Sequence, residues 1–285
     1  MTETPLFTTD DLTLASTPER ASPGKYTLRV PDGWQQGRGA FGGLVLAALA
    51  RAIEMAEPEP DRKHRSFNGE IAGPVLPGEA LIEVTELRRG TGLSAWNATL
   101  SQQGQPLVRA SSILARGRSV GPLSPSGGLA GTPATLHMPA PPIPPASEVA
   151  IIPIENAPFV PVFSRHLEFR VVGPLPFSGA SEPIASGWVR AKRAPPTLGA
   201  PEIVALADAW WPAALATAPT PRPVGTVMFG LQLFLPEAPL DPALPLFHRG
   251  RVLVEHEGYM AEMRELWTED GRLLALNQQT IAWIR

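Results

Sequence analysis

A chain of 285 residues is long enough to bury one large hydrophobic core or two smaller ones. With 44% hydrophobic and 18% charged residues the composition is that of a globular protein, and a net charge of -3 without any basic run interleaved with aromatics argues against a nucleic-acid partner. The absence of cysteine excludes disulfide scaffolds, thiolate metal sites and cysteine nucleophiles, and it fits a reducing compartment.

The first residues, from Met1 to Leu12, carry acidic side chains and no basic segment of the kind that opens a secretory signal. The most apolar stretch is interrupted by Arg51, well short of the length needed to cross a membrane. We therefore expect a cytoplasmic protein with no membrane and no nucleic acid among its partners. Small molecules, or another copy of the chain in a homo-oligomer, are the expected partners.

A helix is the first strong element of the chain, after a leader and a short edge strand, KYTLRV, that end at residue 30. It lies in the stretch from Gly37 to Ala56, GRGAFGGLVLAALARAIEMA. After Gly43 the apolar residues recur near helical spacing, which predicts a helix with one buried face. The glycine-rich turn in front of it presents free backbone N–H groups, so the helix start is a candidate anion site.

The same stretch holds Gly37, Gly39 and Gly42 in the G-x-G-x-x-G spacing of dinucleotide-binding proteins. Acidic residues also stand about where a ribose-binding acid would lie: Glu57, Glu59 and Asp61. That motif requires a strand leading directly into the first glycine, whereas here a Pro-Asp-Gly turn and two glutamines precede it. A nicotinamide or flavin enzyme is therefore a distant alternative.

From residue 64 onward the apolar period changes to two, and four consecutive strands are predicted. They read RSFNGEIAGPV, EALIEVTELRRG, LSAWNATLSQQG and QPLVRASSILARG, each bounded by a turn signal such as Pro-Gly or Gln-Gly. Short connections of this kind predict an antiparallel meander. One helix followed by four strands also lacks the strand–helix alternation that a dinucleotide-binding domain needs.

The middle of the chain, residues 118–160, is rich in Pro, Ala, Gly and Ser, which predicts a semi-rigid extended linker along the surface. Beyond it the order repeats: FSRHLEFRVV and IASGWVRAKR, an apolar helix around 203–218, then strands within GTVMFGLQLFLP, GRVLVEHEGYMAEMRELWTEDG and RLLALNQQTIAWIR. Placing Gly104 on Gly271 aligns SQQGQPLVRASSIL with TEDGRLLALNQQTI. We interpret the repeat as an internal duplication. Two unrelated α+β domains that share an order by chance are the alternative.

Each predicted unit is an antiparallel sheet wrapped around one central helix, so the fold class is α+β and the arrangement is a double hotdog. The N-terminal hotdog is predicted over residues 1–117 and the C-terminal hotdog over residues 161–285, with the Pro-rich linker at 118–160. Two such sheets in one chain can pair edge to edge and enclose sites between the halves.

Six segments carry the most specific information: FGGLVLAAL, the block from Ser66 to Gly104, GWVRAK, IVALADAW, GTVMFGLQL and LWTEDGRLLALNQQTIAWIR. In their order and spacing they resemble the double-hotdog acyl-CoA thioesterases of the thioesterase II type. The resemblance covers most of the chain apart from the linker. It implies hydrolysis of an acyl-CoA by direct attack of a water molecule, a role in fatty acid metabolism, and no cofactor.

In that family an Asp, a Thr or Ser, and a Gln hold the attacking water. The resemblance places these catalytic roles on Asp208 in ALADAWW, Thr226 in GTVMF and Gln279 on the last strand. Gln279 fits better than Gln278, because the family pattern sets the glutamine four residues after the alanine, here Ala275. The residue types suit the reaction, since a carboxylate accepts a proton from water and hydroxyl and amide groups fix its other hydrogen bonds.

The residues alone leave other interpretations open. Without the resemblance, Asp208 is better explained as an N-cap near the beginning of an apolar helix that tolerates Pro212 in its first turn. Three substrate contacts are also predicted. Gly42 and Gly43 would act as backbone donors, and Trp210 would line the acyl pocket. Arg88, together with Arg89, Arg116 and Arg118, would bind the CoA phosphates. Close backbone packing, core packing and surface charge are the alternative roles for these residues.

Two departures from the family pattern bear on function: Leu44 stands where Gln is frequent, and Thr280-Ile281 replaces an acidic-glycine pair. They favour, as the alternative, a non-catalytic acyl-CoA or acyl-ligand binding protein on the same fold. A hydratase or dehydratase is less favoured, because no helix begins with a suitably spaced Asp/His pair. No histidines have metal-ligand spacing and no G-x-S-x-G motif occurs, so neither a metal site nor an α/β-hydrolase serine is predicted.

Overall fold

The computed structural model describes residues 7–118, 138–154 and 160–284. Its helices are α1 (Leu12–Ser16), α2 (Gly42–Ala56) and α3 (Ala200–Asp208), with 3-10 helices at Ala146–Glu148, Val162–His166 and Ala213–Ala216. The strands of the first half are β1 (Glu19–Ser22), β2 (Lys25–Val30), β3 (Gln35–Gln36), β4 (Gly39–Ala40), β5 (Lys63–Ile71), β6 (Gly78–Arg89), β7 (Leu93–Gln102) and β8 (Gln105–Ala115). Those of the second half are β9 (Leu167–Val171), β10 (Ile184–Ala191), β11 (Val224–Leu233), β12 (Leu246–His256), β13 (Tyr259–Trp267) and β14 (Leu273–Trp283).

A 12-stranded antiparallel sheet contains all of these strands except the small β3–β4 hairpin. Its order is β1-β2-β6-β7-β8-β5-β11-β14-β13-β12-β10-β9, so each half supplies six neighbouring strands. The halves meet where β5 pairs with β11, with Phe67 opposite Leu231 and Gly69 opposite Phe229. The two hotdog sheets thus pair edge to edge, as the sequence predicted.

Two strand predictions for the first half need correction. Strands β6, β7 and β8 form the predicted meander, but β5 pairs with β8 instead of β6. The connection between β5 and β6 is not a tight turn, because the N–H groups of Ala72 and Gly73 bond to the carbonyl of Leu107 in β8. The strand KYTLRV is β2, and β1 covers its outer side, so it is not at the edge of the sheet.

Helices α2 and α3 pack side by side in antiparallel orientation. Near one end, a Cβ added to Gly43 would lie 2.8 Å from the carbonyl oxygen of Ala205, so the missing side chain permits the close approach. Towards the other end, Arg51 of α2 forms an ion pair with Glu202 of α3. The apolar residues of α2 are almost all buried between α3 and the first-half sheet.

The first central helix follows the glycine-rich turn, as predicted, whereas the second is shorter than predicted. Helix α2 begins at Gly42, because Gly37 takes up a left-handed conformation (φ 64°) beside the β3–β4 hairpin and Gly39 lies in β4. Helix α3 covers Ala200–Asp208, and a separate 3-10 helix follows at Ala213–Ala216. The prediction of one helix over 203–218 was therefore wrong. Pro212 lies between the two helical pieces, where a proline opposes continuation of an α-helix.

The described part of the Pro-rich segment, residues 138–154, lies against the second-half sheet. The indole N–H of Trp188 in β10 donates to the carbonyl of Pro144 at 3.2 Å, and Ala146 packs in one cluster with Trp188, Phe247 and Trp267. This segment therefore covers the sheet face that points away from α3. Residues 119–137 and 155–159 of the predicted linker lie outside the described residues, and the predicted domain limits at 117 and 161 stay predictions.

The two halves share strand register as well as strand order. Phe67 of β5 lies opposite Ser112 of β8, and Phe229 of β11 lies opposite Gln279 of β14. A β-bulge stands just before the phenylalanine in each case. The sequence alignment of the two turn glycines gives the same correspondence, so Ser112 and Gln279 occupy equivalent positions in the duplicated fold.

Candidate active site

Asp208 is the last residue of α3, and its carboxylate faces the first turn of α2. A Cβ added to Gly42 would lie 2.8 Å from Asp208 Oδ2, and the Gly43 N–H donates a hydrogen bond to the carboxylate. Free N–H groups and the helix dipole make a helix N-terminus attractive to an anion. The anion site predicted at the start of α2 thus receives a carboxylate of the chain itself. The N-cap interpretation of Asp208 was wrong, since the residue ends its helix.

Gln279 points inward from β14 and is fully buried, whereas Gln278 points outward and is exposed. Its side-chain amide donates to Asp208 Oδ1 at 3.0 Å and to Asn277 Oδ1 at 2.9 Å. Its Oε1 accepts a hydrogen bond from the Thr226 hydroxyl at 2.9 Å. The neighbours fix the orientation of the amide, because the reverse orientation would aim an oxygen at a carboxylate.

Thr226 lies at the β-bulge of β11 and is only partly buried, so it is the member of the group nearest to solvent. Because the Thr226 hydroxyl hydrogen is given to Gln279, its oxygen lone pairs remain free to accept a hydrogen bond. The structure therefore brings together Thr226, Gln279 and Asp208 in one connected chain of hydrogen bonds.

The electrostatic surroundings of Asp208 act in opposite directions. Burial raises the pKa of the carboxyl to about 6, and the negative charge of Glu262 adds to this effect. The Arg264 guanidinium, the Gln279 amide and the Gly43 N–H favour the ionised form and hold the pKa down. At neutral pH the group is therefore mainly ionised, with a pKa close to the value that suits a general base.

Three buried polar residues around this group were not predicted from the sequence: Glu262, Arg264 and Asn277. Arg264 Nη1 lies 3.8 Å from Asp208 Oδ1, and Arg264 Nε donates to Glu262 Oε1 at 2.7 Å. Asn277 donates to the carbonyl of Gly230 at 2.8 Å while it accepts from Gln279. A signal was present, because period-two alternation in β13 and β14 places these polar residues on the same face as buried apolar ones.

Trp210 follows Asp208 by two residues and packs inside the second half. Its ring stacks on His248, with centroids 5.1 Å apart and planes 9° apart, and it also contacts Phe169 and Trp211. Its indole Nε1 is buried and has no hydrogen-bond partner among the described residues. The residue is a core residue next to the candidate site, and its predicted contact with an acyl group stays a prediction.

Arg88 is exposed on β6 and is not brought to the Asp208 group. The adjacent Arg89 binds Glu57, which caps the C-terminal end of α2. Asp208 lies at the other end of this 15-residue helix, about 20 Å away at the standard helical rise. Arg89 and Arg116 are paired with the acidic residues that the dinucleotide alternative assigned to a ribose: Glu57, Glu59 and Asp61.

Two further observations concern the described residues as a whole. No group of three or more His, Asp or Glu side chains among them is arranged to hold a metal ion. Within the same ranges, every helix is too short or too polar to cross a membrane.

Comparison with known protein families gives two matches that together cover most of the chain. A sequence model described as the acyl-CoA thioesterase N-terminal domain matches residues 30–115, and one described as the acyl-CoA thioesterase C-terminal domain matches residues 137–282. None of the curated proteins compared with the chain matches it.

Solved structures of the same fold cover nearly the whole chain. A conserved protein of unknown function with a hot dog fold from Alicyclobacillus acidocaldarius matches with a TM-score of 0.79 and 21% identity, over 96% of this chain and 98% of that one. A proposed thioesterase II from Thermobifida fusca matches with a TM-score of 0.79 and 19% identity, over 99% and 100%. An acyl-CoA thioesterase II from Mycobacterium marinum matches with a TM-score of 0.72 and 13% identity, over 96% and 98%. At these identities the structures establish the double-hotdog fold.

Proposed function

The chain belongs to the acyl-CoA thioesterase family, and from that premise we propose that it hydrolyses an acyl-CoA to a free acid and CoA. Asp208, Thr226 and Gln279 are the proposed catalytic residues. The observation that carries the proposal is the hydrogen-bonded chain from Thr226 through Gln279 to Asp208, set against the N-terminal turn of α2. Three residues distant in sequence converge there with the residue types that water activation needs.

In the proposed reaction a water molecule lies between the Asp208 carboxylate and the Thr226 hydroxyl oxygen. Asp208 accepts a proton as the water oxygen attacks the thioester carbonyl carbon, and the carbonyl oxygen becomes an oxyanion. When the intermediate collapses, the C–S bond breaks, the electron pair leaves on sulfur, and Asp208 returns the proton to the thiolate. Because both amide hydrogens of Gln279 are engaged, its role is to orient Thr226 and Asp208.

The oxyanion needs donors, and the first turn of α2 supplies the best candidate. The Gly43 N–H is taken by Asp208, whereas the Gly42 N–H has no partner among the described residues and Gly42 is partly exposed. A backbone N–H at a helix N-terminus stabilises developing negative charge through both a hydrogen bond and the helix dipole. We therefore assign the oxyanion contact to Gly42 and the positioning of Asp208 to Gly43.

The proposal is tested by measuring thiol release from short, medium, long and aromatic acyl-CoAs. Asp208→Asn removes the base with little change in shape and should lower kcat/KM by about a hundred- to ten-thousand-fold. Gln279→Ala should also lower kcat/KM strongly, and Gln278→Ala is the matched control because that neighbouring amide is exposed. Hydrolysis that persists unchanged in Asp208→Asn would contradict the catalytic assignment.

Binding without hydrolysis would favour the alternative of a non-catalytic acyl-CoA binding protein, which the replacement of a family glutamine by the buried Leu44 supports. Titration of the wild-type chain with acyl-CoA, followed by tryptophan fluorescence, separates this outcome from a complete loss of ligand recognition. A cytoplasmic location, a role in fatty acid metabolism and association into a homo-oligomer stay predictions.

A further inference from the structure

A buried ion pair lies directly beneath Asp208. We propose that Arg264 and Glu262 are positioning residues that fix both the orientation and the ionisation of Asp208. The importance of this pair for catalysis rests on the proposed function. Its effect on the ionisation of the Asp208 carboxyl group can be tested without any substrate.

The contacts show how the pair holds the segment that carries Asp208. Arg264 is 1% exposed, and its Nη1 donates to the carbonyl of Ala207 at 3.2 Å while lying 3.8 Å from Asp208 Oδ1. Its Nε donates to Glu262 Oε1 at 2.7 Å, and Glu262 Oε2 accepts the N–H of Ala213 at 2.8 Å. The pair on β13 is therefore bonded to the chain on both sides of Asp208, at residues 207 and 213.

The internal duplication shows that the fold does not require this pair. In the second half Glu262 pairs with Gln279, and in the first half Trp96 pairs with Ser112, the residue equivalent to Gln279. Two residues further along the strand, Arg264 corresponds to Ala98. Neither Trp96 nor Ala98 is charged, although the Trp96 indole donates to the Glu57 carboxylate at 3.0 Å, so the first-half sheet forms without an ion pair at these two inward positions.

Burying two charges removes their hydration, and well-packed apolar residues often replace such a pair without loss of stability. A buried pair that appears in only one of two equivalent sites therefore calls for a reason other than folding. The carboxylate of Asp208 is such a reason, because a second buried anion needs a nearby cation to stay ionised.

The titratable groups around Asp208 come from two strands, β12 and β13. Glu262 and Arg264 face it from β13, and His248 of β12 lies beside Arg264, where burial and the arginine charge keep the pKa of the imidazole well below its ordinary value and the ring neutral. The other elements in contact contribute groups that do not titrate, namely Ile71, Gln279 and the glycines of α2. Arg264 therefore favours ionised Asp208, and Glu262 opposes it.

Opposite signs make the test sharp. Arg264→Gln should move the acid limb of the kcat/KM profile, and the titration of Asp208, upward by about 1 to 3 pH units. Activity at pH 7 should then fall by roughly two- to a hundredfold and recover as the pH is raised. Glu262→Gln keeps an acceptor for the Ala213 N–H, and it should move both quantities downward. Arg264→Lys retains the positive charge, so the Asp208 titration should stay close to its wild-type position.

The Asp208 titration is followed by NMR of aspartate labelled at the carboxyl carbon, assigned with Asp208→Asn, in protein without substrate. Arg190→Gln is the control, because it also breaks an ion pair between an arginine and a buried glutamate, Glu168. That pair lies on β9 and β10, at the outer edge of the sheet. The control should leave the titration unchanged.

Opposite shifts for the Arg264 and Glu262 variants support the inference, and they do so even if wild type hydrolyses no acyl-CoA, which is the separate failure of the proposed function. An Asp208 titration that stays in place in folded Glu262→Gln or in folded Arg264→Gln, or that moves in the same direction in these two variants, overturns it. If Arg264→Gln does not fold, Glu262→Gln decides, since a purely structural role predicts no downward shift.

Discussion

Gly42 offers a way to displace the proposed base without changing its chemistry. A Cβ added there would lie 2.8 Å from Asp208 Oδ2 and 3.1 Å from the Ile71 methyl group. A carbon and an oxygen that are not bonded rarely approach within 3.0 Å, so the carboxylate must move by about half an ångström in Gly42→Ala. Because proximity contributes several kcal/mol to catalysis, a displacement of this size should lower kcat/KM by roughly ten- to a hundredfold.

The stability of Gly42→Ala should change much less than its activity. Alanine in a helix is favoured over glycine by about 0.5 to 1 kcal/mol, which offsets a local overpacking cost of about 1 kcal/mol against two side chains. Chemical denaturation should therefore give a free energy of unfolding within about 1 kcal/mol of wild type. Gly90→Ala is the control, since its Cβ would meet its nearest neighbour, the Leu93 carbonyl oxygen, at an ordinary 3.6 Å.

The assay compares kcat/KM for the best acyl-CoA substrate with the free energy of unfolding in the same preparations. Unchanged activity in a stable Gly42→Ala protein would refute the placement of Asp208 at the reacting centre. A parallel loss of activity and stability would show that α2 moves away from α3 as a whole, so the displacement would not be local to the carboxylate.

Three further predictions follow from the contacts. Thr226→Val should lower kcat/KM and leave the Gln279 oxygen without its donor, whereas Thr226→Ser should retain most activity, as thiol release measures. Asn277→Ala should lower kcat more than it raises KM, because the Gln279 amide loses a partner that orients it. Asn277→Asp should not recover the loss, because it aims an oxygen at the Gly230 carbonyl and adds a second buried anion beside Asp208. Burial alone would raise the pKa of Glu57, but hydrogen bonds from Arg89, Ser94 and Trp96 outweigh it and lower the pKa to about 2. Because the folded pKa of Glu57 lies below the ordinary value of 4.5, its stabilisation of the fold is complete above pH 4.5 and is lost as the pH falls towards 2. Urea unfolding should therefore show that Glu57→Gln destabilises the protein at pH 7, and that this destabilisation is smaller by about 1 to 2 kcal/mol at pH 2.5. An equal effect of this substitution at both pH values would contradict the ion-pair assignment.

The sequence predicted the strands better than the helix ends. Period-two alternation and turn glycines located β6, β7, β8 and β14 closely, because these signals are local to each hairpin. The pairing of β5 with β8 depends instead on how the connection at 72–77 crosses the sheet, which no local pattern encodes. The end of α3 at Asp208 was also missed, since an apolar composition continued to residue 218 and suggested a longer helix.

The resemblance to a family identified the site residues in the sequence. That their side chains lie together in one hydrogen-bonded group is visible only in the folded structure. Gln279 was distinguishable from Gln278 by spacing, and the structure places the former inside and the latter outside. Arg264 and Glu262 were passed over because alternating charged residues on a strand usually face solvent. Their burial follows from the position of β13 beside α3, which is a property of the tertiary structure.

The first half contains a comparable set of polar groups, which makes the difference between the halves informative. His64 occupies the position of Thr226 at the bulge, its Nδ1 lies 2.6 Å from Ser112 Oγ, and Glu54 lies 3.6 Å from its other nitrogen. Duplication has therefore placed a carboxylate, a bulge residue and a last-strand residue together twice.

The first turns of α3 and α2 differ in the backbone donors that they offer. In the first turn of α3 the Gly199 N–H is bonded by Glu202 at 3.1 Å, and Pro201, the second helical residue, has no N–H. In the first turn of α2 the second residue is Gly43, whose N–H reaches Asp208. The helix start that serves Asp208 belongs to the other half of the chain. The proposed active site therefore needs both hotdogs, because the second supplies the water-activating residues and the first supplies the backbone donors that stabilise the charge they create.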